Sequence, residues 1–363
     1  MGRVKKNKNK SAYYAVIIII IIILAFAVYQ NRGTLRALNG SSEVFSYESG
    51  QNFSFDTQNG NVVAIGSDGA QCFSDKGIRK WNVIRRFVNP RMQNEGDFNL
   101  FYEKGNKEVY LYSDGSKIWE YVSDQPIITA KINAKGYAAV VSYETGYRAK
   151  IEIIDGLGSL LYKWQLSEDY VIDADVSPDC KQFAAATVSP NDANVTSRVT
   201  VVDIDGEKIT GETLLEGTLT VCIEYQKNGS IAAVGSDKLV CISPRGEMQW
   251  AVDFEEKQLQ KFKLGYNTSH ILTFEGSRNN SILEIYGKDG KKTGEYISGE
   301  AIKDIDINGA TIAVLEKQKL SLISLKGAVM SETELKKDVK KVMLLPKNRI
   351  AAVGSSSVEI IKP

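Results

Sequence analysis

Histidine and cysteine are scarce: the 363 residues contain one His and four Cys, with only 7 Pro. One imidazole and four thiols leave almost nothing for a zinc site or a histidine-based catalytic machine. An excess of one charge is missing too, since Lys+Arg 45 stands against Asp+Glu 44. Bulk nucleic-acid binding needs a strong basic excess, so no nucleic-acid partner is expected. A 43% apolar and 25% charged composition also excludes a disordered tail, a collagen and a small disulfide scaffold. What is present is an architecture and an address.

The address lies at the amino terminus. Residues 1–11 carry Arg3, Lys5, Lys6, Lys8 and Lys10 and no acid. An uncharged run follows from Ala12 to Tyr29 and includes the isoleucines Ile17 to Ile23. As a helix it would reach about 27 Å at ~1.5 Å per residue, close to the hydrocarbon thickness of a bilayer. Tyr13, Tyr14 and Tyr29 flank it where amphipathic rings favour the interface. The positive flank predicts a cytoplasmic tail (1–11), a transmembrane helix (12–29), a polar linker (30–42) and an extracytoplasmic domain (43–363). A cleaved signal peptide is the competing reading, because Ala25-Phe26-Ala27 is a small-x-small site, although it lies inside the apolar run. Without residues 1–11 the chain has 40 basic and 44 acidic side chains, a mildly acidic ectodomain.

Self-similarity decides the fold. Ile231-Ala-Ala-Val-Gly-Ser236 reappears as Ile350-Ala-Ala-Val-Gly-Ser355 and nearly so as Val62-Val-Ala-Ile-Gly-Ser67. Weaker copies begin at Phe98, Tyr137, Phe183, Ile271 and Ile312, making eight copies about 41 residues apart. Each copy follows an alternating segment such as Val171-Ile-Asp-Ala-Asp-Val176 and precedes a run closed by a glycine turn, for example Ser113-Asp-Gly115. Trp81, Trp119 and Trp250 lie four residues beyond such a glycine, and Trp164 lies six beyond Gly158, so all four are assigned one structural place, covering the seam between blades. Four strands per repeat, with a continuously apolar second strand, predict an all-β, eight-bladed β-propeller; a seven-bladed ring is the alternative. The eighth copy lacks a fourth strand at the carboxyl end, and Glu43-Val-Phe-Ser-Tyr47 is expected to supply it. Such closure removes exposed sheet edges.

The glycine-turn-then-Trp strand, as in Ser74-Asp-Lys-Gly-Ile-Arg-Lys-Trp81, resembles the repeat of quinoprotein-like propellers of the pyrroloquinoline-quinone-dehydrogenase type. The resemblance covers roughly residues 43–363, and blades 4, 6 and 7 depart from it with Thr210, Gly294 and Ser331 at the matching place. The layout is also similar to membrane-anchored propellers of Gram-positive-type envelopes. WD repeats are disfavoured, with no Trp-Asp dipeptide and a single histidine.

No catalytic residue, cofactor or metal site emerges. Asp304-Ile-Asp306-Ile-Asn308-Gly309 opens like a calcium loop but has Leu315 where a bidentate Glu is required. Gly287-Lys-Asp-Gly290-Lys-Lys-Thr293 has the wrong glycine spacing for a phosphate loop and reads as a hairpin turn. Cys72, Cys180, Cys222 and Cys241 read as reduced core residues, and His270 as a packed or turn residue. Arg85, Arg86 and Arg91 around Phe87 form a compact basic-aromatic group, either a solvated loop or an anion contact. The longest insertion, Val188 to Ser197, holds Asn191, Asp192 and Asn194 and is the leading partner-contacting loop. The expected function is a non-catalytic, membrane-tethered scaffold binding an envelope protein or cell-wall polymer. The rivals are a quinone-dependent or carbohydrate-acting enzyme and a ligand sensor coupled to a membrane partner.

Overall fold

The computed structural model describes residues 42–48, 52–189, 195–266 and 269–362. Among these, 32 strands form eight four-stranded sheets, each a run of antiparallel neighbours. The inner strands of blades 1 to 8 are Ser54–Gln58, Pro90–Glu95, Ile127–Ile132, Tyr170–Val176, Thr220–Tyr225, Leu259–Lys263, Asp304–Asn308 and Lys341–Leu345. Inner strands adjoin across seven of the eight seams, and an apolar cluster joins blades 5 and 6 across the other, as a ring around a hub requires. The Ala/Val-rich copies are the second strands, each beginning within one residue of the place the repeat predicts.

These second strands are continuously apolar because both their faces are covered by sheet. Among the described residues, eight buried apolar clusters occur, and each joins consecutive blades. Phe183 of blade 4, for example, packs with Ala139, Val141 and Ile151 of blade 3. The core is therefore distributed over the seams, with no single centre.

Closure follows the expectation. Ser42–Ser46 pairs antiparallel with Ser357–Ile361, so both ends of the chain build blade 8 and a seven-bladed ring is excluded. Ser42, assigned to the linker, belongs to this strand. Phe45, Tyr47, Phe53, Phe55 and Phe73 form an aromatic knot across the joint, with ring centroids 5.0 Å apart for Phe45 and Phe73, and the Tyr47 hydroxyl donates to the Gly354 carbonyl at 2.7 Å. The basic tail (1–11), the apolar run (12–29) and residues 30–41 lie outside the described residues. Among the described residues no helix is long and apolar enough to cross a membrane.

The outer strands carry one repeated device. In blades 1 to 7 a register shift leaves one extra residue in the outer strand, next to the Trp position. Pairing places Trp81, Trp119 and Trp250 in equivalent positions, opposite Cys72, Leu111 and Cys241. Trp164 is not their equivalent. It pairs with Ile151, two residues further on, and Tyr162 takes the shared place. In blade 4 the equivalent residue is Gly211, one beyond the expected Thr210. A two-residue difference keeps Trp164 on the same side of its strand, and both Tyr162 and Trp164 pack on Phe183 of blade 4.

In blades 1, 2, 4, 5 and 6 the equivalent residue meets the third-to-fourth-strand turn of the next blade. A Cβ on Gly115 would come within 2.6 Å of Trp81, one on Gly158 within 2.7 Å of Trp119, and one on Gly290 within 2.7 Å of Trp250. Where the Trp is replaced by glycine, the next turn moves in on the backbone itself: a Cβ on Gly211 would lie 1.9 Å from the Arg245 carbonyl oxygen, and one on Gly294 2.5 Å from the Lys326 carbonyl carbon. The departures from the Trp pattern are thus alternative fillings of the same seam.

Candidate interaction face and central hub

Strand direction sorts the loops onto two faces. Inner strands start at the face that carries the second-to-third-strand turns and the blade-to-blade connections, called the upper face. The first-to-second and third-to-fourth turns lie on the lower face.

The basic-aromatic group and the blade 4 insertion were separate suspects, and topology brings both to the upper face. The three arginines do not converge on one anion. Arg85 stacks 3.6 Å from the Tyr110 ring centre, bonds the Tyr110 hydroxyl and pairs with Glu108 at 3.4 Å. Arg91 donates to the Asn89 side chain at 3.0 Å, while Arg86 is exposed. Phe87 is buried against Tyr110 and pins the connection, and Glu103 accepts from the backbone N–H groups of Val88 and Asn89. These hydrogen bonds, with one from Asn106, outweigh desolvation and hold the Glu103 carboxyl below its ordinary range. Val88 at the apex is 92% exposed. Asn191, Asp192 and Asn194 lie outside the described residues; the strands flanking them, Gln182–Val188 and Thr196–Asp203, meet at the upper face.

A neighbouring cluster carries no sequence signal. Tyr143 and Tyr147, at the upper turn of blade 3, and Tyr170, at the start of blade 4, are exposed aromatics at one seam. Arg148 lies 5.0 Å from the Tyr170 ring centre and donates to its hydroxyl at 2.8 Å. Beneath them Lys150 is fully buried and pairs with Glu152, Glu144 and Asp124 at 3.0, 3.4 and 3.5 Å. Breaking a buried ion cluster costs about 3–5 kcal/mol, so this one fixes the tyrosine-bearing turn from below. Exposed apolar side chains continue along the same face in blades 1 to 5, including Ile84, Val122, Leu219 and Val221. The corresponding connections of blades 7 and 8 are rich in lysine, including Lys303, Lys336, Lys337 and Lys340.

The hub is polar. Its inner strands present an unpaired edge, and carboxylates of one blade satisfy the N–H groups of the next. Asp173 accepts from Ile223 N at 3.0 Å and Asp175 from Tyr225 N at 2.8 Å. Asp304 accepts from Val342 N at 2.9 Å and Asp306 from Leu344 N at 2.7 Å. Asp304 and Asp306, which open like a calcium loop, therefore serve with Asp173 and Asp175 as straps between blades. Gln93 does the same for Ile132 N at 2.8 Å, and Lys341 closes the ring by donating to the Phe55 carbonyl at 2.5 Å. Lys131 bridges Asp173 at 2.5 Å and the Ile223 carbonyl at 2.6 Å. Burial raises the Asp175 carboxyl to about 7, with Lys131 opposing and Asp173 and Glu224 reinforcing the shift.

The remaining suspects are structural. Gly287–Gly290 is a turn closed by a Gly290 N–H to Gly287 carbonyl bond of 3.0 Å. His270 is 2% exposed beside Trp250, and burial lowers its pKa to about 4. The four cysteines are unbridged; Cys72 and Cys241 are buried as core residues, whereas Cys180 and Cys222 are half-buried, the latter on the inner strand of blade 5.

Residues 36–362 match the family described as Family of unknown function (DUF5711). The chain belongs to this family. No curated protein matches the DUF5711 chain. Among solved structures it is similar to the C-terminal WD40 domain of Sif2 (TM-score 0.65, 12% identity, 89% of this chain and 98% of that one). The computationally designed Ika8 protein is comparable (TM-score 0.64, 12% identity, 89% and 100% coverage). BamB from Moraxella catarrhalis follows with TM-score 0.51, 12% identity, and 89% and 97% coverage. At these identities the likeness shows the propeller fold alone.

Proposed function

We propose that this propeller is a non-catalytic interaction module, tethered to the outer side of a membrane by residues 12–29 and docking an envelope protein on its upper face. The observation that carries the reading is the Tyr143, Tyr147, Arg148 and Tyr170 cluster. Tyrosine and arginine are enriched at the energetic centres of interfaces; Tyr143, Tyr147 and Arg148 flank a turn held from below by the buried Lys150 cluster, and Tyr170 is held by Arg148. The tether fits this orientation. The closing strand begins at Ser42 on the lower face, so a preceding anchor faces the membrane and leaves the tyrosines outward. The Trp-bearing outer strands support a quinoprotein-type ancestry of the repeat, used for its rigid ring.

The reading is tested in membranes containing the full chain, with a photo-crosslinking residue at Tyr143 or Tyr170 and, as control, at Leu157 in a lower-face turn. A discrete protein adduct from the upper positions, absent at Leu157 and reduced at least tenfold by Arg148→Ala, is expected. Equal adducts from both faces, or none, sink the docking reading; a cell-wall polymer adduct replaces the protein partner. Alkaline extraction that releases the chain from membranes removes the tether.

A further inference from the structure

The chain enters the ring at the lower face, where Ser42 pairs with Ile360, and the apolar run 12–29 precedes it with residues 30–41 between. A stretch of that length spans at most about 43 Å, so a membrane holding the run lies within reach of the lower rim. By ring order the third-to-fourth-strand turns of blades 7 and 1 flank the entry point. In blade 1 the turn packs on the closing strand itself: a Cβ on Gly77 would lie 3.3 Å from the Val44 Cα.

These two turns share a composition. Lys76-Gly-Ile-Arg-Lys80 in blade 1 and Lys326-Gly-Ala-Val-Met330 in blade 7 hold four cations, three large apolar side chains and no acid. Ile78 is 64% exposed, Val329 47% and Met330 48%, and all four cations are exposed. Asp75, just ahead of the blade 1 turn, is taken up by Arg349 of blade 8, and among the described residues none of the four cations forms an ion pair. Glu43, on the closing strand, has Lys337 as a charged neighbour.

Singly, exposed apolar side chains call for no explanation. Apolar side chains beside unpaired cations, on the side from which the chain is tethered, match a lipid surface. There the alkyl groups enter the interface while the ammonium and guanidinium groups meet anionic headgroups. A protein partner is a weaker match, because lysine is depleted at protein interfaces. We infer that the lower rim of blades 7, 8 and 1 rests on an anionic lipid surface, fixing the disc so that its upper face points away from the membrane. The inference rests on the tether reading of residues 12–29, and its test keeps the two apart.

The full chain is reconstituted in vesicles of phosphatidylcholine and phosphatidylglycerol at two to one. A fluorescent amino acid replaces Ile78 or Met330, with Ile84 on the upper face as control, and a spin label on the lipid headgroups is the quencher. Quenching at Ile78 and Met330 at least twofold above that at Ile84 is expected. It should fall to the Ile84 level in phosphatidylcholine alone, in molar salt, and in the combined variant Lys76→Glu, Lys80→Glu and Lys326→Glu. Melting temperatures check that this variant folds, and the lipid and salt comparisons need no variant. Quenching no stronger at the rim than at Ile84, or indifferent to lipid charge, salt and charge reversal, overturns the inference. Alkaline washing decides the tether separately. A chain that resists alkali without rim quenching keeps the tether and loses the rim contact; one that alkali strips, yet is quenched at the rim at neutral pH, keeps the contact and loses the tether. Energy transfer between copies labelled at Met330, in place of quenching, assigns the rim to a second copy and overturns the lipid reading.

Discussion

At the scale of single residues, two buried titratable groups pull stability in opposite directions with pH. His270 is neutral in the fold, with its pKa lowered to about 4 by desolvation, against 6.5 in an open chain. Between those values the unfolded chain binds the proton and the folded one does not, so stability is lost as pH falls from 6.5 towards 4. The full span corresponds to about 3 kcal/mol as an upper bound. Asp175 has the opposite sign. Its folded pKa is raised to about 7, so its contribution is present in acid and lost as pH rises through 7. Urea unfolding at several pH values should therefore show His270→Leu losing stability less steeply than wild type below pH 6.5. Asp175→Asn should remove the decline between about pH 4 and pH 7, with Asn Oδ1 still accepting one backbone N–H. Parallel curves for all three proteins would contradict both assignments.

At the scale of the element, the seam between outer strand and next turn offers a sharper contrast. Gly211 and Gly294 have ordinary backbone angles, so their replacement is opposed by the approaching turn and not by φ. Gly294→Ala and Gly211→Ala should each lower stability by about 1–3 kcal/mol, the range for overpacking. Gly299→Ala, whose Cβ would meet nothing closer than 3.5 Å, should stay within about 0.5 kcal/mol. Thermal melts of the three variants check this, and equal melting temperatures would dismiss the seam argument. The same contrast explains what the sequence made legible. Strand positions and ring closure could be read because Ile-Ala-Ala-Val-Gly copies recur at a near-constant interval and both faces of those strands must be apolar. The register of Trp164 was hidden, because counting from a glycine ignores where pairing restarts after the turn. The Asp-x-Asp straps were hidden for a deeper reason: their partners lie a whole blade or more away, and alternation along one inner strand says nothing about the strand it faces. Tyr143, Tyr147 and Tyr170 carry no motif at all; only the fold gathers them.

At the scale of the whole molecule, stability depends on joining two ends of the chain that are more than three hundred residues apart. The closing strand supplies Val44 and Phe45 to a cluster that also holds Phe55, Phe73, Met343 and Val358. Without it, Ser357–Ile361 becomes an edge strand with a row of unsatisfied N–H and C=O groups above an exposed aromatic surface, a template for pairing with another chain. Loss of one buried Phe side chain costs about 3–5 kcal/mol. For a domain of this size that corresponds to a fall of roughly 5–7 °C in melting temperature. Phe45→Ala should therefore melt about that much lower yet remain monomeric, because the strand's backbone still covers the edge. Deleting residues 1–48 should go further and yield concentration-dependent oligomers on size-exclusion chromatography. A synthetic peptide of residues 41–48 added in excess should restore the monomer, since edge pairing is antiparallel main-chain bonding that does not require covalent continuity. A deletion variant that stayed monomeric with an unchanged melting temperature would show that seven blades and a three-stranded eighth suffice, and that the Ser42–Ser46 strand adds nothing to the ring.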